Sequence, residues 1–357
     1  MKGSITEFNQ KISNLISYIE AIEIEKDFIS QSRRIIEECS RETACGCNTL
    51  FEKISISCKK IIDYHAVIIS LYGAFESFVE SICTSYLKRL NEIIPTYESF
   101  PDKIKENHII FSSELILELH KSKYSSLDQL NIIKNMYDCV NSQSPFRINC
   151  EAFIMHNTNL RPAVLNEIFT RIGINGICNQ IKNTDLFRDY YAKKNDINSE
   201  QTASVISKLD LDELFIKIND LIEKRNLVAH SWIDETVDLN IIKEDYVAFF
   251  EVFCNALYHL LEESISGFEV LFKGKKITIV RIFNKCILCF NNDNAAIRIG
   301  GKILIKKTDS SYTYGFIESI EHNHQRIENV RDTENIDIGV KISSKAKDSY
   351  EYFLLLD

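Results

Sequence analysis

Glycine and proline are scarce in this chain of 357 residues, which contains 11 glycines and 4 prolines. A loop-rich fold needs more of both, because glycine adopts turn conformations that other residues avoid and proline interrupts helices. The apolar content of 45% and the charged content of 26% are typical of a globular protein. The scarcity therefore favours a mainly helical fold, and the length is sufficient for two domains.

The sequence also lacks an apolar run long enough to span a membrane, and residues 1–7 lack the apolar core of a signal peptide. We therefore expect a cytoplasmic protein that does not bind membranes. The net charge of −9 argues against sequence-independent coating of nucleic acid.

The eleven cysteines lack the two pairs, or the cysteine pair with a histidine pair, that a structural zinc site requires. Cys45 and Cys47 have Cys39 upstream. Cys286 and Cys289 are three residues apart in a predicted strand, so their side chains should point to opposite faces. We expect reduced thiols, with zinc as the minor alternative, and predict no metal and no cofactor.

Apolar residues at helical spacing predict long helices before residue 266. Residues 4–38 should form one helix, and residues 49–94 a second that ends before Pro95. Residues 100–145 are predicted to be a helical insertion. The helices at 208–232 and 240–265 should pack together, with the aromatic residues of the latter in the core.

The segment at 146–173 carries local signals for an extended stretch and a helix. Residues 146–154 are expected to be extended. Asn159 can cap a helix that starts near Pro162, and Gly173 can end that helix. His156 is interpreted as structural, with a substrate contact as the alternative.

At Gly267 the apolar period changes from helical to alternating. Six short predicted strands, separated by polar turns such as 291–294, then indicate a small β-barrel. We therefore predict a mainly α domain at 1–266 followed by an all-β barrel at 267–357. The predicted strands lie at 276–283, 296–299, 302–306, 312–317, 337–342 and 350–355.

The stretch from Leu221 to Trp232 carries side chains that can cleave RNA without a metal. Arg225 and Asn226 precede His230 by five and four residues on a predicted helix. Arginine binds phosphate through a planar fork of donors, and an imidazole can move a proton at neutral pH. On spacing alone, a surface arginine and a structural histidine are the alternative.

The wider string Arg-Asn-x-x-Ala-His resembles the signature of the HEPN superfamily, and is most similar to its bacterial toxin and antiphage group. The strings at 71–80 and 159–173 resemble the same group. In the former, Glu76 follows an aromatic residue. Glu76 is either a solvated or paired surface acid or a group that orients Arg225.

This resemblance implies a dimeric, metal-independent endoribonuclease that leaves a cyclic phosphate. His230 would be the general base or acid, Arg225 the phosphate clamp, and Asn226 a group that orients substrate or holds the helix start. Five residues separate Arg225 and His230 by about 140° on a helix, so a two-fold cleft would bring them together better than one face. Some HEPN toxins carry a tyrosine, modified by a partner nucleotidyltransferase, where this chain has Trp232.

The predicted barrel resembles the second domain of translation elongation factors in its strings at 299–307, 315–322 and 338–345. The usual Gly-Asp pair near its end is Lys347-Asp348 here. Residues 270–311 hold nine basic residues against two acidic ones. These either protect strand edges or bind RNA phosphates, and the candidates for RNA binding are Lys275, Lys276, Lys306 and Lys307.

Two functions therefore remain open. The first is an endoribonuclease that acts as a toxin or an antiphage effector on RNA, for example tRNA or ribosome-associated RNA. The second is a non-catalytic HEPN module that recruits or controls a neighbouring effector. Expected partners are RNA, a second copy of the chain, and an antitoxin or defence partner.

Overall fold

The structure is a computed structural model that describes residues 1–37, 57–230 and 236–355. The chain forms two compact units, each built from two separate segments. The first unit comprises Met1–Thr84 and Ile154–Tyr258, and the second comprises Ser85–Phe153 and His259–Asp357. Helices occupy the N-terminal region and an antiparallel, nearly closed β-barrel ends the chain, which confirms the predicted fold class.

The described helices include the long ones that the apolar spacing predicts. In chain order they are α1 (Lys2–Glu37), α2 (Ser57–Ile93), α3 (Asp102–Glu118), α4 (Gln129–Val140), α5 (Cys150–Phe153), α6 (Pro162–Arg171), α7 (Ile177–Lys182), α8 (Asp185–Lys194), α9 (Ser199–Lys208), α10 (Leu211–Leu214), α11 (Ile216–His230), α12 (Leu239–Ile241) and α13 (Ala248–Lys273). A π-helix, Ile242–Val247, joins α12 to α13.

Aromatic rings form the centre of the first unit. The ring of Phe75 on α2 lies 4.8 Å from that of Phe250 and 5.8 Å from that of Phe253 on α13. Phe215 contacts Phe253 with ring centroids 5.5 Å apart. All four side chains are fully buried. The expectation that the aromatic residues of α13 are core residues is therefore confirmed, and each contributes about 1.5–3 kcal/mol by burial.

The expectation that no apolar run is long enough to span a membrane is wrong by length and composition, because one helix among the described residues, Lys59–Ile93, meets both criteria, with a mean hydropathy of 1.5. However, 56% of its most apolar window is buried inside the protein. Packing within the protein therefore accounts for its apolar character, as in the core helix of a soluble protein.

The end of α6 agrees with the prediction from sequence, whereas the cap at its start does not. Gly173 has a φ of 87°, and the N–H groups of Gly173 and Ile174 donate to the carbonyls of Thr170 and Phe169 at 3.0 and 2.9 Å. This is the hydrogen-bond pattern of a Schellman end. The expected cap at Asn159 is wrong: the N-cap is Arg161, without a side-chain cap. The extended interpretation of 146–154 is also wrong in part, because residues 150–153 form α5.

The barrel contains one long path of paired strands with an order of β1-β10-β5-β6-β9-β3-β2. All described pairs are antiparallel, β7 pairs with β6, and β4 pairs with β8. The strands are β1 (Gly274–Ile277), β2 (Ile279–Phe283), β3 (Ile287–Asp293), β4 (Ile297–Arg298), β5 (Lys302–Lys306), β6 (Tyr312–His322), β7 (Gln325–Ile327), β8 (Asn329–Val330), β9 (Asn335–Ile342) and β10 (Glu351–Leu355). The two strands at the ends of this path, β1 and β2, follow one another directly in the sequence.

Two local predictions for this region are wrong. The helix does not end at Gly267 but continues to Lys273, and Gly267 lies against the ring of Tyr312. The polar stretch predicted to be a turn belongs to β3 up to Asp293. Asn292 is fully buried there, and its amide donates to the carbonyls of Ala295 and Glu334 at 2.9 and 3.0 Å. These two bonds satisfy the amide nitrogen, whereas Asn292 Oδ1 is buried without a hydrogen-bond partner among the described residues.

Candidate active site

The predicted residues Arg225, Asn226 and Glu76 lie close together in the first unit. Ile218, Leu221 and Ile222 are fully buried and anchor α11, which leaves Arg225 and Asn226 half-buried above them. An open cleft of about 770 Å³ lies beside them, formed by α2, the loop at 156–161 and α11. Glu76 and Arg225 both line this cleft.

Arg225 is held in the cleft by an amide and an aromatic ring. Its Nη1 donates to Asn226 Oδ1 at 3.3 Å, and its Cζ lies 5.3 Å from the ring centroid of Tyr72. A cation over a tyrosine ring is stabilised by about 0.5–2 kcal/mol. Arg225 makes no ion pair with any residue that the structure describes. Its charge therefore remains available for an anion.

Tyr72 links the three walls of the cleft. Its hydroxyl lies 3.1 Å from Glu76 Oε1 and 3.3 Å from Asn159 Oδ1, and it accepts the N–H of Leu160 at 3.4 Å. Asn159 Nδ2 in turn donates to Asn226 Oδ1 at 3.2 Å. Burial raises the pKa of Tyr72 to about 12, so the phenol stays protonated and can donate near neutral pH. Glu76 thus connects to Arg225 through Tyr72 and not by a direct ion pair.

His156 also lines the cleft, and its side chain is 9% exposed. Its Nδ1 lies 2.8 Å from the carbonyl oxygen of Thr158, and its Nε2 lies 3.0 Å from Glu80 Oε1. Both ring nitrogens therefore lie within hydrogen-bond distance of an oxygen, and these contacts hold the ring between the loop and α2.

Arg161 ties the loop to α11. Its Nη1 donates to Asn219 Oδ1 at 3.2 Å, and its Nη2 forms an ion pair with Glu223. In contrast to Arg225, the charge of this cleft arginine is balanced by a carboxylate.

His230 is the last residue of α11, is exposed, and does not line the cleft. Within the part of the chain that the structure describes, no hydrogen bond or ion pair orients its ring. Trp232 lies outside the described residues, as do Cys39, Cys45 and Cys47.

Three of the four lysines predicted to bind RNA lie beside carboxylates in the barrel. Lys276 and Lys306 both pair with Glu351, Lys306 at 3.2 Å. Lys275 Nζ lies 3.6 Å from Asp293 Oδ2. Lys307 makes no ion pair within the described ranges. This pairing lowers the positive potential expected from counting basic residues alone.

The described residues around the cleft and in the barrel do not form a cluster of metal-binding side chains. Among residues 1–37, 57–230 and 236–355, no group of three or more His, Cys, Asp or Glu side chains could hold a metal ion. The described cysteines, including Cys286 and Cys289, are free thiols.

Sequence reasoning missed the roles of Tyr72, Asn159 and Arg161. Asn159 is predicted to be a helix cap, because asparagine favours that position, and the string at 71–80 singles out Glu76 and not Tyr72. One signal could have identified them. The strings at 71–80 and 159–173 resemble the same group as the string on α11, and residues that form one site are expected to come from the segments that share this resemblance.

Comparison with known proteins adds one finding to this geometry. A family model described as RiboL-PSP-HEPN matches residues 46–263, which include α2, the cleft loop and α11. No curated protein matches the chain. Because the family model spans more than half of the 357 residues, the chain belongs to the RiboL-PSP-HEPN family of HEPN domains.

Proposed function

We propose that this protein is a metal-independent endoribonuclease whose cleft binds the scissile phosphate at Arg225. The supporting observation is that Arg225 stands in the cleft with an aromatic face and an amide as neighbours and without an ion pair among the described residues. A guanidinium with free donors binds two phosphate oxygens at once. Membership in a HEPN family favours a role in RNA processing or binding.

The reaction uses the nucleophile that RNA itself carries. The 2′-oxygen attacks the adjacent phosphorus, the bond to the 5′-oxygen breaks, and a 2′,3′-cyclic phosphate forms. One imidazole accepts the proton of the 2′-hydroxyl, and an acid donates a proton to the leaving oxygen. Arg225 offsets the negative charge that develops on the phosphate oxygens.

A dimer would bring together an arginine and a histidine that one helix face cannot present side by side. Arg225 and His230 point about 140° apart around α11, so we propose that His230 of a second copy faces the cleft beside Arg225. A mixed dimer of wild-type and His230→Ala chains tests this arrangement. A strict monomer at micromolar concentration that still cleaves RNA would contradict it.

The direct test is RNA cleavage by the purified full chain in EDTA. We expect Arg225→Ala and His230→Ala each to lower the cleavage rate by about 10²–10⁴, with the fold intact by circular dichroism. His120→Ala and Arg326→Ala are the controls, because both remove exposed side chains outside the cleft. Cleavage by His230→Ala at the wild-type rate would reject the proposal.

A second candidate function is a non-catalytic RNA-binding module that recruits or controls an effector. The exposed position of His230, whose ring has no hydrogen-bond partner among the described residues, favours it, since a general base is usually held by such a partner. This candidate predicts RNA binding that depends on Arg225, without cleavage products in any buffer.

The biological role that we propose is that of a toxin or antiphage effector acting on RNA, controlled by an antitoxin or defence partner. Expression of the wild-type chain should then arrest growth, whereas the Arg225→Ala chain should not. Growth arrest by both chains would show that toxicity does not depend on Arg225, which would contradict this role for the cleft.

A further inference from the structure

The barrel holds a cavity of its own, with a volume of about 490 Å³. Its wall includes Ile297, Ile317 and Leu354, which are buried to the same degree, with 3% of each residue exposed. Its polar groups include Arg298 on β4 and Arg331 just beyond β8. An apolar wall with a few charged groups is the usual composition of a small-ligand site.

The two arginines come from neighbouring segments of the barrel and line the same cavity. In the β4–β8 pair, Arg298 is opposite Asn329, and Arg331 lies two residues beyond Asn329. Arg331 is the first residue after β8, and it lines the same cavity as Arg298. Two long side chains on one cavity wall can both bind the oxygens of one phosphate.

The charges of these arginines are not used elsewhere in the described structure. Arg298 and Arg331 make no ion pair with any residue in the described ranges. The third cation of the cavity, Lys302, is paired with Glu262 at 3.0 Å and Glu269 at 3.2 Å, so it is already neutralised.

Asp332 narrows the class of ligand. Its carboxylate also lines the cavity and is exposed. A carboxylate repels a bare polyanion, but it accepts hydrogen bonds from sugar hydroxyls, as acidic residues do in nucleotide sites. Two guanidinium groups, one carboxylate and an apolar wall match the phosphate, the ribose and the base of a nucleotide.

We propose that this cavity binds a nucleotide, with its phosphate on Arg298 and Arg331 and its ribose at Asp332. The nucleotide is either a free molecule or the phosphorylated end of an RNA chain. The inference uses only the barrel, so it stands whether or not the cleft cleaves RNA.

The test is isothermal titration of the full chain with three probes in EDTA. AMP represents the free nucleotide, a 5′-phosphorylated 2′-O-methyl RNA octamer represents an RNA end that cannot be cut, and inorganic phosphate represents the anion alone. We expect AMP or the octamer to bind, and phosphate to bind at least tenfold more weakly. Binding of AMP identifies a free nucleotide, whereas binding of the octamer alone identifies an RNA end at the barrel only if Arg298→Ala weakens it and Arg225→Ala does not.

Variants of exposed residues then locate the site without disturbing the core. Arg298→Ala and Arg331→Ala should each weaken binding about tenfold or more, as expected for loss of hydrogen bonds to a charged group. Asp332→Asn should weaken AMP binding but not phosphate binding. Arg326→Ala is the control, because Arg326 is an exposed barrel arginine that does not line the cavity.

Three results would overturn the proposal. They are no binding of AMP or the octamer at millimolar concentration, equal affinity for phosphate and AMP, and unchanged affinity in the Arg298→Ala/Arg331→Ala double variant.

Discussion

The imidazole of His108 should make the helices α3 and α4 sensitive to acid. This ring is fully buried in the second unit, and its Nε2 accepts the N–H of Asn149 at 3.0 Å. Its Nδ1 lies 3.3 Å from the hydroxyl of Tyr97, to which the neutral ring can donate. A proton added at Nε2 would face the N–H of Asn149. Burial accordingly lowers the pKa of His108 from 6.5 to about 4.

The size of the effect follows from the two pKa values. Above pH 6.5 the ring is neutral in both the folded and the unfolded chain, so the full stability is present. As the pH falls from 6.5 toward 4, the unfolded chain binds a proton that the folded chain does not, and stability is lost. At about 1.4 kcal/mol per pKa unit, the loss between pH 7 and pH 5 is about 2 kcal/mol.

Hydrogen exchange of the full chain, corrected for the intrinsic rate at each pH, measures this loss in peptides from residues 102–150. We expect the opening free energy of these peptides to be lower by about 2 kcal/mol at pH 5 than at pH 7. His108→Gln should remove most of this difference, since an amide oxygen can accept from Asn149 without titrating. His120→Gln, which removes an exposed imidazole, should retain it. Equal opening free energies at the two pH values in the wild-type chain would refute the reasoning.

Three further predictions concern the cleft, the glycines and the barrel surface. Tyr72→Leu should weaken RNA binding about three- to tenfold in a titration in EDTA, because it removes the ring beneath Arg225, whereas Tyr72→Phe should keep most of the affinity. Gly73→Ala should raise the free energy of unfolding by about 1 kcal/mol in urea, whereas Gly267→Ala should not, because its Cβ would lie 3.0 Å from Tyr312 Cδ2. If the barrel lysines contact RNA, Lys307→Glu should flatten the log–log salt dependence of RNA binding by about one unit or more, and an unchanged slope would argue against that contact.

Much of the fold follows from patterns along the chain. The helical spacing of apolar residues located the long helices, and Pro162 and Gly173 marked the ends of α6 because their backbone preferences act locally. The helix through Gly267 and the strand through Asn292 were not predictable in this way. Their tertiary contacts, which are with the ring of Tyr312 for Gly267 and with the carbonyl of Glu334 for Asn292, outweigh the local preference for a break or a turn.

In the candidate site too, the features set by local sequence were predictable and those set by tertiary contacts were not. The string on α11 identified Arg225 and Asn226 because they are adjacent in sequence. The partners Tyr72 and Asn159 lie in other segments, separated by 87 residues, and their hydrogen bond exists only once the chain has folded. Asparagine is a preferred helix cap, yet Asn159 lies two residues before the N-cap, and its Nδ2 donates to Asn226 Oδ1 across the loop and α11.

The chemistry around the two cleft arginines argues for which one binds an oxyanion. The guanidinium of Arg161 already donates to Glu223 and Asn219, so binding a phosphate there would require breaking an ion pair. Arg225 is oriented instead by a ring face and an amide oxygen, which restrict its movement without neutralising its charge. For the proposed binding of a phosphate, a guanidinium held in this way is already positioned, which lowers the entropic cost of binding. The ring of Tyr72 and the amide of Asn226 therefore restrict Arg225, whose charge has no ion-pair partner among the described residues.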